Sequence, residues 1–435
     1  MDDMLDALDL DDVDDLFADI PEEIRIDALD LPPGMPEQEV ERHVDGLLDS
    51  NRSFRDMPSF LGGGIQPHYV PPAVEHVVAR SEFLTSYTPY QPEVSQGILQ
   101  AMFEYQSVVC ELTGMDVANV SMYDAATALG EAAGMAARST RGSLFLIPEN
   151  LAPEKKSVLG NYLWSTDLEV REIPVVDGRV DLDAAMHLAK DAAGIYLEQP
   201  NYYGLTENRV DAVKALAGET DALLVMGVDP LLAAVTRPPS AYGADVVIGD
   251  GWFGCPMNYG GVRLGMFACK RKHVRQMPGR IIGATSDSDG KRAFCMTMQT
   301  REQHIRRERA TSNICTNQAL AAVAFAAYAG LHGATGLQCL AAENMRRARY
   351  AAEQLADIGF ELPYDGHFFN EFVAVPPVDA KLLNDRLLRQ GIHGGLPLRE
   401  GPGNALLYGV TEMHTRDMID DMIAATADVI GGNDV

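Results

Sequence analysis

Lysine is scarce in this 435-residue chain, with eight lysines against twenty-seven arginines. Positive charge as a whole is also short, since 35 Lys and Arg face 63 Asp and Glu and leave a formal charge of −28. Nucleic acid would be repelled at almost every approach, which excludes non-specific binding to it as a main activity. The same acid-rich, lysine-poor balance suits a salt-adapted cytoplasm, whose ions screen the self-repulsion. The six cysteines, Cys110, Cys255, Cys269, Cys295, Cys315 and Cys339, form no Cys-x-x-Cys pair and have no histidine at metal-ligand spacing. Free thiols are therefore expected, with no metal site. No apolar run reaches the roughly 18 residues of a membrane helix, and Met1-Asp2-Asp3-Met4 has neither the basic nor the apolar region of a secretion signal, so a soluble, cytoplasmic protein is expected. A hydrophobic content of 46% over this length is enough for a large core.

Three regions are expected: residues 1–60 as a helical docking segment, 61–325 as a large α/β domain, and 326–435 as a small α+β domain. The first 30 residues carry thirteen acidic side chains and one arginine, the composition of a free acidic tail. Val13, Leu16, Phe17 and Ile20 nevertheless fall at helical spacing before Pro21, which favours a short amphipathic helix that docks. Further on, apolar strands are readable at Ser143–Ile147, Val170–Val176, Gly194–Glu198, Ala222–Gly227, Asp245–Gly249 and Val262–Cys269, mostly with helical segments between them. That alternation predicts a mostly parallel sheet with helices on both faces, whose ligands bind beyond the carboxyl ends of the strands. After residue 315 the chain predicts an Ala-rich helix, Asn317–Ala329, another at Leu337–Ala356, strands at Asn370–Val375 and Leu406–Val410, and a last helix at Thr415–Ile430.

Three segments are more specific than the fold. The first is Ser81-Glu82-Phe83-Leu84-Thr85-Ser86-Tyr87-Thr88-Pro89-Tyr90-Gln91-Pro92-Glu93-Val94-Ser95-Gln96-Gly97, continuing through Glu111-Leu112-Thr113-Gly114-Met115-Asp116-Val117-Ala118-Asn119. The second is Met277-Pro278-Gly279-Arg280-Ile281-Ile282-Gly283. The third runs from Gln299-Thr300-Arg301-Glu302 to Arg309-Ala310-Thr311-Ser312-Asn313-Ile314-Cys315-Thr316. With them the sequence, from Asp14 to about Glu412, closely resembles the N-terminal subunit of the divided glycine decarboxylases, the P-proteins of the glycine cleavage system.

The resemblance implies a type I pyridoxal-phosphate transferase fold, like that of aspartate aminotransferase, for the large domain. It implies a heterotetramer of two chains of each kind in which glycine is decarboxylated on pyridoxal phosphate and its aminomethyl group passes to the lipoyl arm of the H-protein. In that family the cofactor's lysine belongs to the other subunit.

The residues agree with that division. Enzymes of this fold place the Schiff-base lysine just past a strand, close to a glycine-rich segment. The matching stretch here, Asp245-Val246-Val247-Ile248-Gly249-Asp250-Gly251-Trp252-Phe253-Gly254-Cys255-Pro256, has none, and no lysine lies between Lys214 and Lys270. The turn before the helix that runs through Arg138 is where a phosphate would sit, yet Asp124 is placed there as an N-cap that would take the donors itself. Asp229 stands where such folds keep an aspartate for the pyridine nitrogen, and without a lysine it is expected to cap the turn before Pro230.

The loop with Tyr87, Tyr90 and Gln91 could reach the partner's cofactor and orient the glycine carboxylate or the lipoyl arm, or could be a packed interface loop. His68, in a glycine-rich loop, is a candidate proton donor near the same pocket, and Thr311, Ser312 and Asn313 are candidate polar contacts to it or a helix cap. Twelve Lys and Arg fall between Arg263 and Arg309, where an even spread would put about four. They read either as a docking surface for an acidic partner, the H-protein or the sister subunit, or as internal partners of the surplus acids. Two other functions stay open: a scaffold or regulator that kept the fold, and a self-sufficient decarboxylase using Lys270 or Lys291.

Overall fold

The computed structural model describes residues 2–26, 28–85, 87–257 and 263–432, and separates into two units, 1–53 and 54–435. Val262, where the sixth strand was expected to begin, and Ser86, in the first motif, lie outside the described residues.

The first unit carries the helices Asp2–Leu8 and Glu37–Leu48, and no described residue in it is buried. The expected helix through Val13, Leu16, Phe17 and Ile20 is instead a 3-10 turn, Val13–Phe17. Asp12 accepts from the Asp14 N–H at 3.0 Å, while Asp15 reaches back to the Asp12 N–H at 2.9 Å. Carboxylates that bind the local backbone in this way compete with a longer α-helix, and Pro21 stops it.

The second unit is built on a seven-stranded sheet: β1 (Val117–Ala118), β2 (Leu144–Pro148), β3 (Glu169–Ile173), β4 (Gly194–Gln199), β5 (Leu223–Val228), β6 (Val246–Asp250) and β7 (Gly265–Cys269). Their order is β1-β7-β6-β5-β4-β2-β3; β2 to β6 run parallel, and β7 is antiparallel to β6. The central strands are apolar without a break because both faces are covered. Along β5, Leu224, Met226 and Val228 enter one hydrophobic cluster while Leu223 and Val225 enter the other, the period of two that a strand imposes.

A hairpin, β8 (Ile281–Ser286) and β9 (Arg292–Thr297), follows, and a three-stranded antiparallel sheet, β10 (Glu371–Ala374), β11 (Leu396–Pro397) and β12 (Leu406–Gly409), lies near the C-terminus. The helix Ala319–Asp357 breaks at Gly333, whose φ of +60° only glycine adopts readily, so two helices stand where two were expected. Contrary to the expectation of no membrane-length apolar helix, it passes by length and by a mean hydropathy of 1.4. Phe325 and Tyr328 nevertheless put one of its faces fully into the core of the large sheet.

Candidate functional site

A cavity of about 650 Å³ opens at the carboxyl ends of β2, β4, β5 and β6, the place an open α/β sheet offers a ligand. Its wall takes Lys155 from the start of the helix Pro153–Leu163, Glu198 from β4, Asp229 after β5, Asp250 from the end of β6 and Glu371 from β10. Lys155 Nζ donates to Glu198 Oε1 at 2.6 Å, and the Tyr196 hydroxyl donates to the same oxygen at 2.8 Å. Burial alone would lower the Lys155 pKa, but the Glu198 carboxylate outweighs it and holds the amine above the usual lysine value.

The helix Ala125–Thr140 aims its N-terminus at this cavity, and two carboxylates close it. Asp124 accepts from the Thr127 N–H at 2.7 Å, as the N-cap expectation requires, and Asp250 accepts from the Ala125 N–H at 2.9 Å. Both satisfy donors that would otherwise hold an anion. Past β6, Trp252 and Phe253 fill the stretch with no lysine. Phe253 is fully buried, stacked on Phe325 at 4.7 Å and Tyr328 at 5.0 Å. Trp252 Nε1 donates to Asp229 at 2.9 Å. Asp229 also caps the Leu231 and Leu232 N–H groups at 2.8 and 2.9 Å, in line with the turn expected before Pro230.

Lys270 and Lys291 do not line this cavity. Lys270 is tied to the Gly243 carbonyl at 2.8 Å and to Asp245 at 3.0 Å, and Lys291 stands exposed beside Asp289. Among the described residues no group of His, Cys, Asp or Glu is placed to hold a metal ion, and all six cysteines are free.

The three sequence motifs converge on a second place, around Met277–Arg280. The Arg280 guanidinium donates to the Thr88 hydroxyl of the first motif and, at 3.1 Å, to the Cys315 carbonyl of the third. Asn119 donates to the Pro278 carbonyl at 3.1 Å, and the buried Arg301 donates to the carbonyls of Met277 and of Gly279. Arg280 and Arg301 therefore act as cross-braces between chain segments far apart in sequence.

The braced loop presents Tyr87 and Tyr90 outward, 66% and 75% exposed, with Gln91 exposed beside them. None of the three lines the cavity of this chain. His68 lies one ring behind it, stacked on Trp252 at 3.6 Å, with Nδ1 3.0 Å from Glu412. Burial opposes ionisation of Glu412, but His68, the Tyr69 N–H and the Asn344 amide hold its pKa down at about 2. Ser312 caps no helix: it donates to the buried Glu131 at 2.5 Å and accepts from the Ile314 N–H, while Thr311 is half-buried and Asn313 exposed.

The basic stretch divides. Lys270, Lys272 and His273 gather on Asp245, and Arg301 is inside, whereas Arg271, Arg275 and Arg307 have exposed side chains that pair with no acid among the described residues. Lys155, Glu198, Asp250 and Glu371 were not singled out in the sequence. The available signals were a charge inside an otherwise apolar strand run, for Glu198, and the first polar residue closing one, for Asp250.

The profile of the glycine cleavage system P-proteins matches residues 1–426. A protein of Thermococcus kodakarensis named "Probable glycine dehydrogenase (decarboxylating) subunit 1" is 44% identical over 437 residues, 99% of this chain and 96% of the relative. A crystal structure of a glycine decarboxylase (P-protein) in inhibitor-bound form superposes with a TM-score of 0.93 at 39% identity, covering 98% of this chain and 97% of that one. The glutamate decarboxylase of Lactobacillus brevis, at 15% identity, covers 96% of this chain and 97% of its own with a TM-score of 0.70, a likeness of fold alone.

Proposed function

Because the chain belongs to the glycine cleavage system P-protein family, we propose that it is the lysine-free first subunit of a two-chain glycine decarboxylase and that pyridoxal phosphate sits on the second. The observation that carries this reading is the closed cradle. Pyridoxal phosphate does not fit the residues present: its phosphate would meet Asp124 and Asp250 at the helix N-terminus, and its aldehyde would find Trp252 and Phe253 instead of an amine. Lys155, the one lysine in the cavity wall, is held protonated against Glu198.

The cofactor supplies the electron sink for decarboxylation, and this chain supplies surfaces. Tyr87, Tyr90 and Gln91, on the loop braced by Arg280, reach the partner's cofactor pocket and orient the glycine carboxylate or the lipoyl arm. His68, Thr311, Ser312 and Asn313 belong to the layer behind that loop and cavity. The first 53 residues dock on the sister subunit, since they present Leu16, Phe17, Ile24, Ile26 and Leu29 to solvent and none of their described residues is buried. The exposed arginines Arg271, Arg275 and Arg307 meet the acidic H-protein. The assembly is a cytoplasmic heterotetramer of two chains of each kind.

The test is exchange of carbon dioxide into glycine, measured with this chain, the partner and H-protein separately and together, followed by borohydride reduction. Activity is expected only in the full mixture, with the pyridoxyl label on the partner. A label on any of this chain's eight lysines, or full activity without this chain, refutes the reading. In the same assay Tyr90→Phe should lower exchange about tenfold, the loss of one hydrogen bond to a charged group, while the complex still assembles by size exclusion. Unchanged kinetics would take the loop out of the site.

A further inference from the structure

The cavity of this chain has the opposite polarity to an anion cradle. Six carboxylates, Asp124, Glu154, Glu198, Asp229, Asp250 and Glu371, face two cations, Lys155 and Arg263. Both cations are already engaged, Lys155 on Glu198 and Arg263 on the Gly64 carbonyl. Three of the carboxylates are only half used. Asp250 gives Oδ1 to the Ala125 N–H, Glu198 gives Oε1 to Lys155 and Tyr196, and Glu371 gives Oε1 to Gly63, Gly64 and Gln66. The second oxygen of each accepts nothing from the described residues.

Asn370 is an independent sign of an occupant. It is only 5% exposed, it lines the cavity, and its side-chain amide has no hydrogen bond to a described residue. Enclosed on its other sides, this amide opens only into the cavity and is placed to bond whatever enters it.

A metal ion does not suit the wall, because the carboxylates do not converge in any described group that could hold one. The rings of Tyr123, Tyr196, Tyr202 and Trp252 line the same wall, Tyr196 beside Glu198 and Trp252 beside Asp229. Several anions and several aromatic rings in one wall match ammonium groups joined by methylenes, since the rings attract the cations and cover the carbons. We propose that this cavity binds a small aliphatic diamine or polyamine, with ammonium groups on Asp250 and Glu371 and a donor to the Asn370 carbonyl. The site is separate from the catalytic role proposed above, so exchange activity can stand if it fails.

Titration calorimetry with putrescine on the assembled complex, at fixed ionic strength, tests it. One saturable site per copy of this chain is expected. Asp250→Asn keeps the acceptor for Ala125 and removes the charge, and should weaken binding at least tenfold. Asn370→Leu, which removes only the amide, should weaken it at least threefold. Asp421→Asn, on the exposed side of the C-terminal helix, should leave it unchanged. Equal affinity for the parent and both cavity variants, or heats that never saturate, means diffuse attraction to a chain of charge −28 and overturns the proposal. So does one-to-one binding of inorganic phosphate or magnesium that putrescine fails to displace.

Discussion

Phe253→Ala is expected to destabilise the chain by about 3–5 kcal/mol, read from its chemical-denaturation midpoint, with the range typical of deleting a fully buried ring. The ring lies between Phe325 and Tyr328 and meets Trp252 edge-on at 4.9 Å, so its removal opens a hole on the face of the large sheet. Leu331→Ala, on the same long helix but 54% exposed, should cost under about 1 kcal/mol and serves as the control. Similar midpoints for the two variants would mean that the stretch past β6 is not a packed plug, and the account of the missing amine would lose its structural basis.

Glu198→Gln should act on Lys155 in two measurable ways. Removing the negative partner of a mostly buried amine costs about 2 kcal/mol, a lower figure than for a sealed pair because the lysine side chain is 24% exposed to the cavity. It also removes what holds the amine protonated. Burial then dominates, and the Lys155 pKa should fall below its parent value. The sign is fixed: a raised folded pKa gives stability that is complete below the ordinary lysine pKa and is lost as the pH rises through the elevated one. The variant should lose that high-pH component, and at pH 8 Lys155 should be acylated by an activated ester at least tenfold faster than in the parent. Peptide mapping that finds Lys155 equally unreactive in both proteins would show that Glu198 does not control it.

The sheet was readable from sequence because its central strands are continuous apolar runs covered on both faces, and the strands named in advance lie within a residue or two of their expected places except at Val176, where β3 stops at Ile173 and a separate short pair begins, and at the start of the sixth, where β7 begins at Gly265 and Val262 lies outside the described residues. The β8–β9 hairpin escaped notice. Its outer half, Ala284–Ser286 against Arg292–Ala293, is largely exposed, and so shows no alternation of apolar and polar residues to detect. The candidate site divides in the same way. Asp124 and Asp229 could be assigned as caps because capping is local, a matter of three residues. The Lys155–Glu198 pair joins positions 43 apart, and the brace from Arg280 to Thr88 spans 192. No periodicity carries such contacts, and a search for lysine confined to the stretch past β6 misses the one that enters the wall from the helix after β2.

Trp252 and Phe253 also make a lysine hard to install where this fold usually keeps one. A lysine at either place would remove a ring from the core before bringing any catalytic return, and would still find carboxylates at the helix end where a phosphate must rest. Either substitution alone would therefore cost packing and leave the helix end closed. Aromatic packing at the place where this fold keeps its lysine is thus a barrier that no single substitution crosses.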